Sequence, residues 1–309
     1  MEIHFAPIQG NTDAAYRNTH AELFKPADFY YTPFIRWEHD GIRPRDIKDI
    51  STESNPVVKP IPQIIFRDDK ELRSLVSALY EMGERRIDLN MGCPFPLQTA
   101  RGRGAALAGN ADMAREVVRI TQDYPDVEFS VKMRLGFKDP DEWRNTLPLL
   151  NEAKLRHITL HPRFASQQYG GEPDLDRFAE FLSLSEIPVI YNGDITDLGK
   201  YEEIVKRFPG IKGVMIGRGL IARPTLTDEI AESKEMPREE RLQKLLRFHR
   251  SLLNHYREIL CGDAQILGKI KPFWEYSEQE IGRKPWKAIR KAVNMAKYQT
   301  AVAMISDDL

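Results

Sequence analysis

Apolar runs alternate with helical patterns along the first 220 or so residues. The runs are IHFAPI (3–8), DFYYTPFI (28–35), PQIIF (62–66), RIDLN (86–90), EFSVKM (128–133), HITLH (157–161), PVIYN (188–192) and GVMIG (213–217). Each is rich in Val, Ile, Phe or Tyr, and most are bounded by Pro, Gly or charge, which is how strands read. Between them, 69–82 places Leu72, Leu75, Val76 and Leu79 at helical spacing, and 111–121 and 198–208 behave similarly. Thr12-Asp13 and Thr196-Asp197 supply side-chain oxygens where helices would begin. Eight strands alternating with helices predict an α/β fold, a closed (β/α)8 TIM barrel. An open doubly wound sheet would want G-x-G-x-x-G after its first strand, and APIQGNTDAAYR has a single glycine.

The pattern changes near Pro237. Residues 241–260 carry Leu245, Leu246, Phe248, Leu252, Leu253, Tyr256 and Ile259 at helical spacing, and 284–305 reads as a second helical stretch. The expected division is a barrel over 1–236 and a small all-α domain over 237–309. The second part holds 14 Lys+Arg against 9 Asp+Glu, whereas the whole chain of 309 residues carries a net charge of −1. Bulk charge therefore predicts no polyanion partner, but the helical part is locally basic. Two cysteines, Cys93 and Cys261, make neither a disulfide framework nor a Cys-rich zinc site, so no metal is expected. No window approaches eighteen uninterrupted apolar residues, and MEIHFAPIQG lacks the pattern of a signal peptide. The expectation is a soluble cytoplasmic protein with no membrane and no implied protein partner, and a monomer.

Polar residues interrupt the strand pattern where such barrels keep their chemistry, at the C-terminal ends of strands. Gln63 lies in the third run. Asn90 and Cys93 follow the fourth, in DLNMGCP. Lys132 and Arg134 follow in VKMRLG, His161 and Arg163 in HPR, Asn192-Gly193-Asp194 after the seventh run, and Gly217-Arg218-Gly219 after the eighth. The last two loops form a recurrent phosphate site in TIM barrels, and NGD and GRG suit it because glycine lets backbone N–H groups approach. A phosphorylated cofactor or substrate follows. Lys132 could stabilise negative charge on an electron-rich ring, which resembles flavin binding. Read alone, Cys93 could be a small buried hydrophobe, Lys132 an ordinary ion-pair partner, His161 a core histidine, and Arg101 and Arg103 a solvated loop. His4, His20 and His39 read as structural, and Trp37, Trp143, Trp274 and Trp286 as packing residues.

Taken together, APIQGNTDAAYR (6–17), Gln63 in PQIIF, DLNMGCP with GRGAAL (88–107), VKMRLGF (131–137), HPR to QQY (161–169), NGDI (192–195) and MIGRGLI (215–221) resemble the tRNA-dihydrouridine synthases. The resemblance implies an FMN-dependent oxidoreductase with a C-terminal helical tRNA-binding domain. It implies that Pro7, Ile8 and Gln9 line FMN, that Gln63, Lys132 and His161 contact its ring, and that Asn192, Gly193, Asp194, Gly217 and Arg218 hold its phosphate end. Cys93 would be the general acid and Asn90 would help position the uracil or flavin. Arg101, Arg103, Arg134 and Arg163, with Lys287, Arg290 and Lys291 of the helical part, would meet tRNA. NADPH would be the electron donor. Ile8-Gln9, Pro162 and the tip LAGN (107–110) depart from the family pattern. LGKIKPFWEYS (267–277) looks most like the branch that modifies uridine 16 of the D-loop. The alternatives are another FMN barrel oxidoreductase acting on a small molecule, and a non-catalytic tRNA-binding protein that kept the fold.

Overall fold

The computed structural model describes residues 1–306. All eight apolar runs contain strands: β1 (Glu2–Phe5), β2 (Phe29–Tyr30), β3 (Gln63–Ile64), β4 (Arg86–Met91), β5 (Glu128–Gly136), β6 (Leu155–Phe164), β7 (Val189–Tyr191) and β8 (Gly213–Ile216). They pair in parallel in the order β2-β1-β8-β7-β6-β5-β4-β3. The two edges meet through parallel bridges at Tyr31–Ile61 and Ile35–Ile64, where Thr32 N donates to Ile61 O at 3.0 Å. The sheet thus curls into a TIM barrel and its edges are covered. Strands buried on both faces explain why these runs are apolar nearly throughout.

Register sets the interior. Gln63 pairs with Asp88, Asp88 with Ser130, and Ser130 with His157, one polar layer across four strands. Two residues further along, Asn90, Lys132 and Thr159 are paired, and Arg134 then lies opposite His161. A strand's side chains repeat every second residue, so these layers stack along the barrel interior toward its mouth. His4 and His20 are fully buried and bonded to Tyr31 and Tyr30 respectively, as structural histidines are.

Helices wrap the strands: α1 (Ala14–Leu23), α2 (Asp69–Glu81), α3 (Ala111–Asp123), α4 (Leu175–Leu184) and α5 (Leu198–Arg207). The expected caps form, with Asp13 accepting from Tyr16 N at 3.1 Å and Asp197 from Lys200 N at 2.9 Å. After the barrel come α6 (Arg238–Ile259), α7 (Asp263–Ile270), α8 (Arg283–Lys291) and α9 (Met295–Ser306). The single helical stretch expected over 284–305 is broken at Ala292–Asn294. There Asn294 turns its side chain onto Lys297 N at 2.9 Å and starts a new helix, while Asp263 takes Met295 N at 2.9 Å. An Asn side chain competes in this way with helix continuation.

The helical region packs directly on α1. The Tyr16 ring lies 4.8 Å from Phe248 and 6.1 Å from Phe273, centroid to centroid. Tyr256 OH donates to both oxygens of Asp13 at 3.1 Å, and Lys269 Nζ donates to the same carboxylate at 2.8 Å. One hydrophobic core therefore runs from the barrel into these helices. Among the described residues no helix is long and apolar enough to cross a membrane.

Candidate active site

A cavity of about 1520 Å³ opens at the C-terminal ends of the strands. It exceeds the ~300–1,000 Å³ usual for a single small ligand. Pro7, Ile8 and Gln9 line it from the β1 loop, Gln63 from β3, and Asn90 and Cys93 from the end of β4. Lys132 and Arg134 of β5, His161 and Arg163 of β6, Asn192-Gly193-Asp194 and Gly217-Arg218 complete the wall. Fifteen positions scattered over the sequence thus meet in one place.

Cys93 is partly buried and sits on a pinned turn. Asn90 Oδ1 accepts from Cys93 N at 2.9 Å and from Gly92 N at 3.1 Å, and Ala105 N donates to Cys93 O at 3.0 Å. Gly104, at φ +61°, lies so close that a Cβ there would stand 2.7 Å from Cys93 O. Only glycine allows both that backbone and that approach. Burial raises the Cys93 thiol above its ordinary value, with smaller opposing pulls from the Phe95 backbone amide, Lys132 and Arg134. The group is therefore a protonated thiol at neutral pH and can donate its proton.

Among the described residues Lys132 makes no side-chain hydrogen bond and no close ion pair; Asp88 acts on it only through space. Burial and the Arg134 charge bring its ammonium down to about 8, with Asp88 and Cys93 opposing. Arg134 is buried and lowered to about 10, chiefly by burial. It donates to the carbonyl of Gln168 at 2.6 Å and of Phe164 at 3.3 Å. His161 falls well below its ordinary value through burial and then the Arg134, Lys132, Arg163 and Arg218 charges, so it is neutral. Arg163 Nη1 donates to His161 Nε2 at 3.1 Å, which leaves the ring proton on Nδ1.

The structure gives some predicted residues a supporting place. Arg163 is 1% exposed, is paired with Asp194, and donates to Gly171 O at 2.6 Å. Its guanidinium orients His161 and is not free to meet RNA, which corrects the direct contact expected from sequence. Asp194 faces two guanidiniums, Arg163 and Arg218, the latter at 2.7 Å. A carboxylate there holds arginines in place, and any phosphate would meet Arg218 and the backbone. Asn192 Nδ2 donates to Met215 O at 2.7 Å and ties β7 to β8.

Arg101 and Arg103 lie outside this cavity, beside a smaller one of about 350 Å³ with Trp37, Glu38, His39, Arg67 and Glu71. Arg101 is exposed. Arg103 is 6% exposed and paired two-pronged with Glu71 of α2, at 2.6 and 3.0 Å. The loop cation expected to meet phosphates is thus an internal anchor, because its donors face a buried carboxylate. Lys287, Arg290 and Lys291 also lie away from the cavity, exposed on α8, with Arg290 stacked 4.5 Å above Trp286.

Several lining residues carried no sequence expectation. Tyr169 is half exposed, and Arg218 and Arg134 lie 4.2 and 5.4 Å from its ring centroid. It belongs to the QQY segment noted above, which is the signal that could have found it. Arg36 and Phe95 line the cavity from two barrel loops. Glu275, Tyr276 and Trp286 line it from the helical region. Trp143 and Trp274 are buried as expected of packing residues, whereas Trp286 reaches the rim.

The sequence matches the family described as Dihydrouridine synthase (Dus) over residues 4–304. A Staphylococcus aureus protein named "Probable tRNA-dihydrouridine synthase" is 31% identical over 264 residues, 82% of this chain and 77% of that one. The Bacillus subtilis "Probable tRNA-dihydrouridine synthase 2" is 28% identical over 265 residues, 81% and 78% of the two chains. Among solved structures, morphinone reductase superposes with a TM-score of 0.52 at 12% identity, covering 76% of this chain and 86% of that one. A 2-naphthoyl-CoA reductase gives 0.55 at 8% identity, covering 75% and 50%. These likenesses establish the barrel fold. With the family match spanning nearly the whole sequence, the chain belongs to the dihydrouridine synthase family.

Proposed function

We propose that this protein reduces the C5–C6 double bond of a D-loop uridine in tRNA, with FMN in the barrel mouth and NADPH as reductant. The carrying observation is geometric: the Cys93 thiol, on a pinned turn, shares one cavity wall with the Lys132 ammonium, which has no hydrogen-bond partner among the described residues. FMN held by these residues would supply the hydride received at C6 of the uracil. Cys93 gives the proton to C5, which balances the reduction. Lys132 and Arg134 stabilise negative charge at the mouth, and neutral His161 presents Nδ1–H as a hydrogen-bond donor.

The residues fit a phosphorylated ring cofactor. A Cβ on Gly217 would come within 3.2 Å of Ile8 Cδ1, and one on Gly219 within 1.9 Å of Ile195 O, so both positions require glycine, and their side-chain-free backbone lines the cavity beside Arg218. Bare backbone beside a guanidinium is what a phosphate end requires. Asn90, Arg134 and Tyr169 would surround the uracil, and Pro7, Ile8, Gln9 and Gln63 the flavin. Glu275 and Tyr276 of the 267–277 segment line the same cavity, so the segment resembling the uridine-16 branch is near enough to choose the base. Uridine 16 is the proposed target, and residues 237–309 the tRNA-gripping part.

Stopped-flow reoxidation tests the reading. The protein is reduced anaerobically with NADPH and mixed with unmodified tRNA. Reoxidation by tRNA, with free uridine and orotate inert, supports it. A purified protein without flavin, or one indifferent to tRNA, sinks it in favour of a small-molecule reductase or a binding protein. Charge reversal at Lys287, Arg290 and Lys291 is expected to weaken tRNA binding and to flatten its salt dependence by about 0.9 per lost phosphate contact, or less on single strands. Affinity and salt slope equal to wild type would take α8 out of the interface.

A further inference from the structure

Asp88 enters no step above, yet it is a fully buried acid one layer beneath the mouth. Its carboxylate accepts from Ser130 Oγ at 2.6 Å and from Gln63 Nε2 at 2.7 Å. The other end of that amide, Gln63 Oε1, accepts from Asn90 Nδ2 at 2.7 Å. Asn90 Oδ1 then accepts from the Gly92 and Cys93 backbone amides. The chain starts at a group that only accepts, an ionised carboxylate, and ends at two that only donate. Between these fixed ends, one arrangement of the two side-chain amides satisfies every link. Turning either amide over sets donor against donor or acceptor against acceptor.

We infer that Asp88 is a positioning residue for Cys93: through Gln63 and Asn90, its carboxylate sets the orientation of the turn that carries the thiol. The inference rests on the proposed role of Cys93 as proton donor. Lys132 on β5 and Tyr31 beyond β2 are the charged and titratable side chains coupled to Asp88, beside its partners Ser130 and Gln63. Burial raises Asp88 to about 6, opposed by Ser130, Gln63 and Lys132. Once protonated, Asp88 also has a donor and no longer dictates the direction. Gln63 can then turn Oε1 inward, and its Nε2 draws Asn90 Oδ1 away from the two amides. The relay therefore loosens the turn as pH falls through about 6.

The test reads Cys93 directly. The other cysteine, Cys261, is exposed, so C261S is the parent protein. Labelling by 2,2′-dipyridyl disulfide, which reacts with thiols in acid, is followed across that pH range. The parent is expected to show an inflection near pH 6 that D88N removes. At pH near 7.5, D88N should raise the labelling rate about fivefold and slow single-turnover tRNA reduction about tenfold, with tRNA affinity unchanged. In N90A, where the relay is cut, D88N should add nothing further. Should D88N not fold, S130A still tests the idea, because losing a donor moves the parent inflection upward. A parent without the inflection overturns the inference. So does a D88N effect of equal size with and without Asn90, which would place Asp88's influence outside the relay. Labelling needs neither tRNA nor turnover. If no protein reduces tRNA but the labelling pattern holds, the proposed function fails and the relay stands.

Discussion

Cys93→Ala is expected to slow tRNA reduction by about 10²- to 10⁴-fold, the usual contribution of a positioned general acid. The thiol sits on a turn held by Asn90 from one side and by Ala105 and the bare Gly104 from the other, so little else can take its place. Its proton is retained at neutral pH because burial raises it further than the Phe95 amide, Lys132 and Arg134 lower it. Reduction of the protein by NADPH in the absence of tRNA should continue at the wild-type rate, since that half of the cycle needs no proton at C5. Both halves can be followed by anaerobic stopped-flow absorbance. Wild-type reoxidation by tRNA in the Ala variant would remove Cys93 as the donor.

Glu71→Ala should cost about 3–5 kcal/mol of stability, the range for breaking a buried ion pair by removing one partner. The Arg103 and Glu71 side chains are 7% and 8% exposed, and the pair fastens the loop after Cys93 to α2. Without the carboxylate a guanidinium remains buried with no acid. The reciprocal change is milder, because Glu71 keeps Arg67 Nε at 3.1 Å. Urea midpoints of the two variants read the difference. Salt should change the Glu71→Ala loss little, since buried pairs are weakly screened, whereas the exposed α8 cations act through a salt-dependent field. Equal midpoints for wild type and Glu71→Ala would show that the pair is not an anchor.

The architecture was legible because parallel strands buried on both faces leave apolar runs, and helices between them leave a different period. The polar residues that end the apolar runs, Asn90, Lys132, Arg134 and His161, also pointed to the barrel mouth, and all four line its cavity. Pairings between distant residues were not legible. Nothing in RGRGAAL (101–107) shows that Arg103 meets Glu71 thirty-two positions earlier, and nothing in HPR shows that Arg163 meets Asp194 thirty-one positions later. An arginine in a basic loop reads as a phosphate contact until its acid is found. The small ribbon of Trp37–Glu38 with Gly41–Ile42 was missed because two-residue strands carry no periodicity. The break at Asn294 was missed because apolar residues recur on both sides of it with no Pro or Gly between 286 and 305.

Asp13 gives the molecule a constraint on how it can be recombined. The residue that starts α1, just after the cavity-lining Pro7-Ile8-Gln9, also holds Tyr256 and Lys269 of the tail. A chimera joined at residue 237, with this barrel and a relative's tail, would sever that clasp and mismatch Tyr16 against a foreign partner for Phe248. The graft that keeps its own fit carries α1 and the tail together. In exchanges meant to redirect which base is modified, the two behave as one cassette, although some two hundred residues of barrel lie between them in the chain.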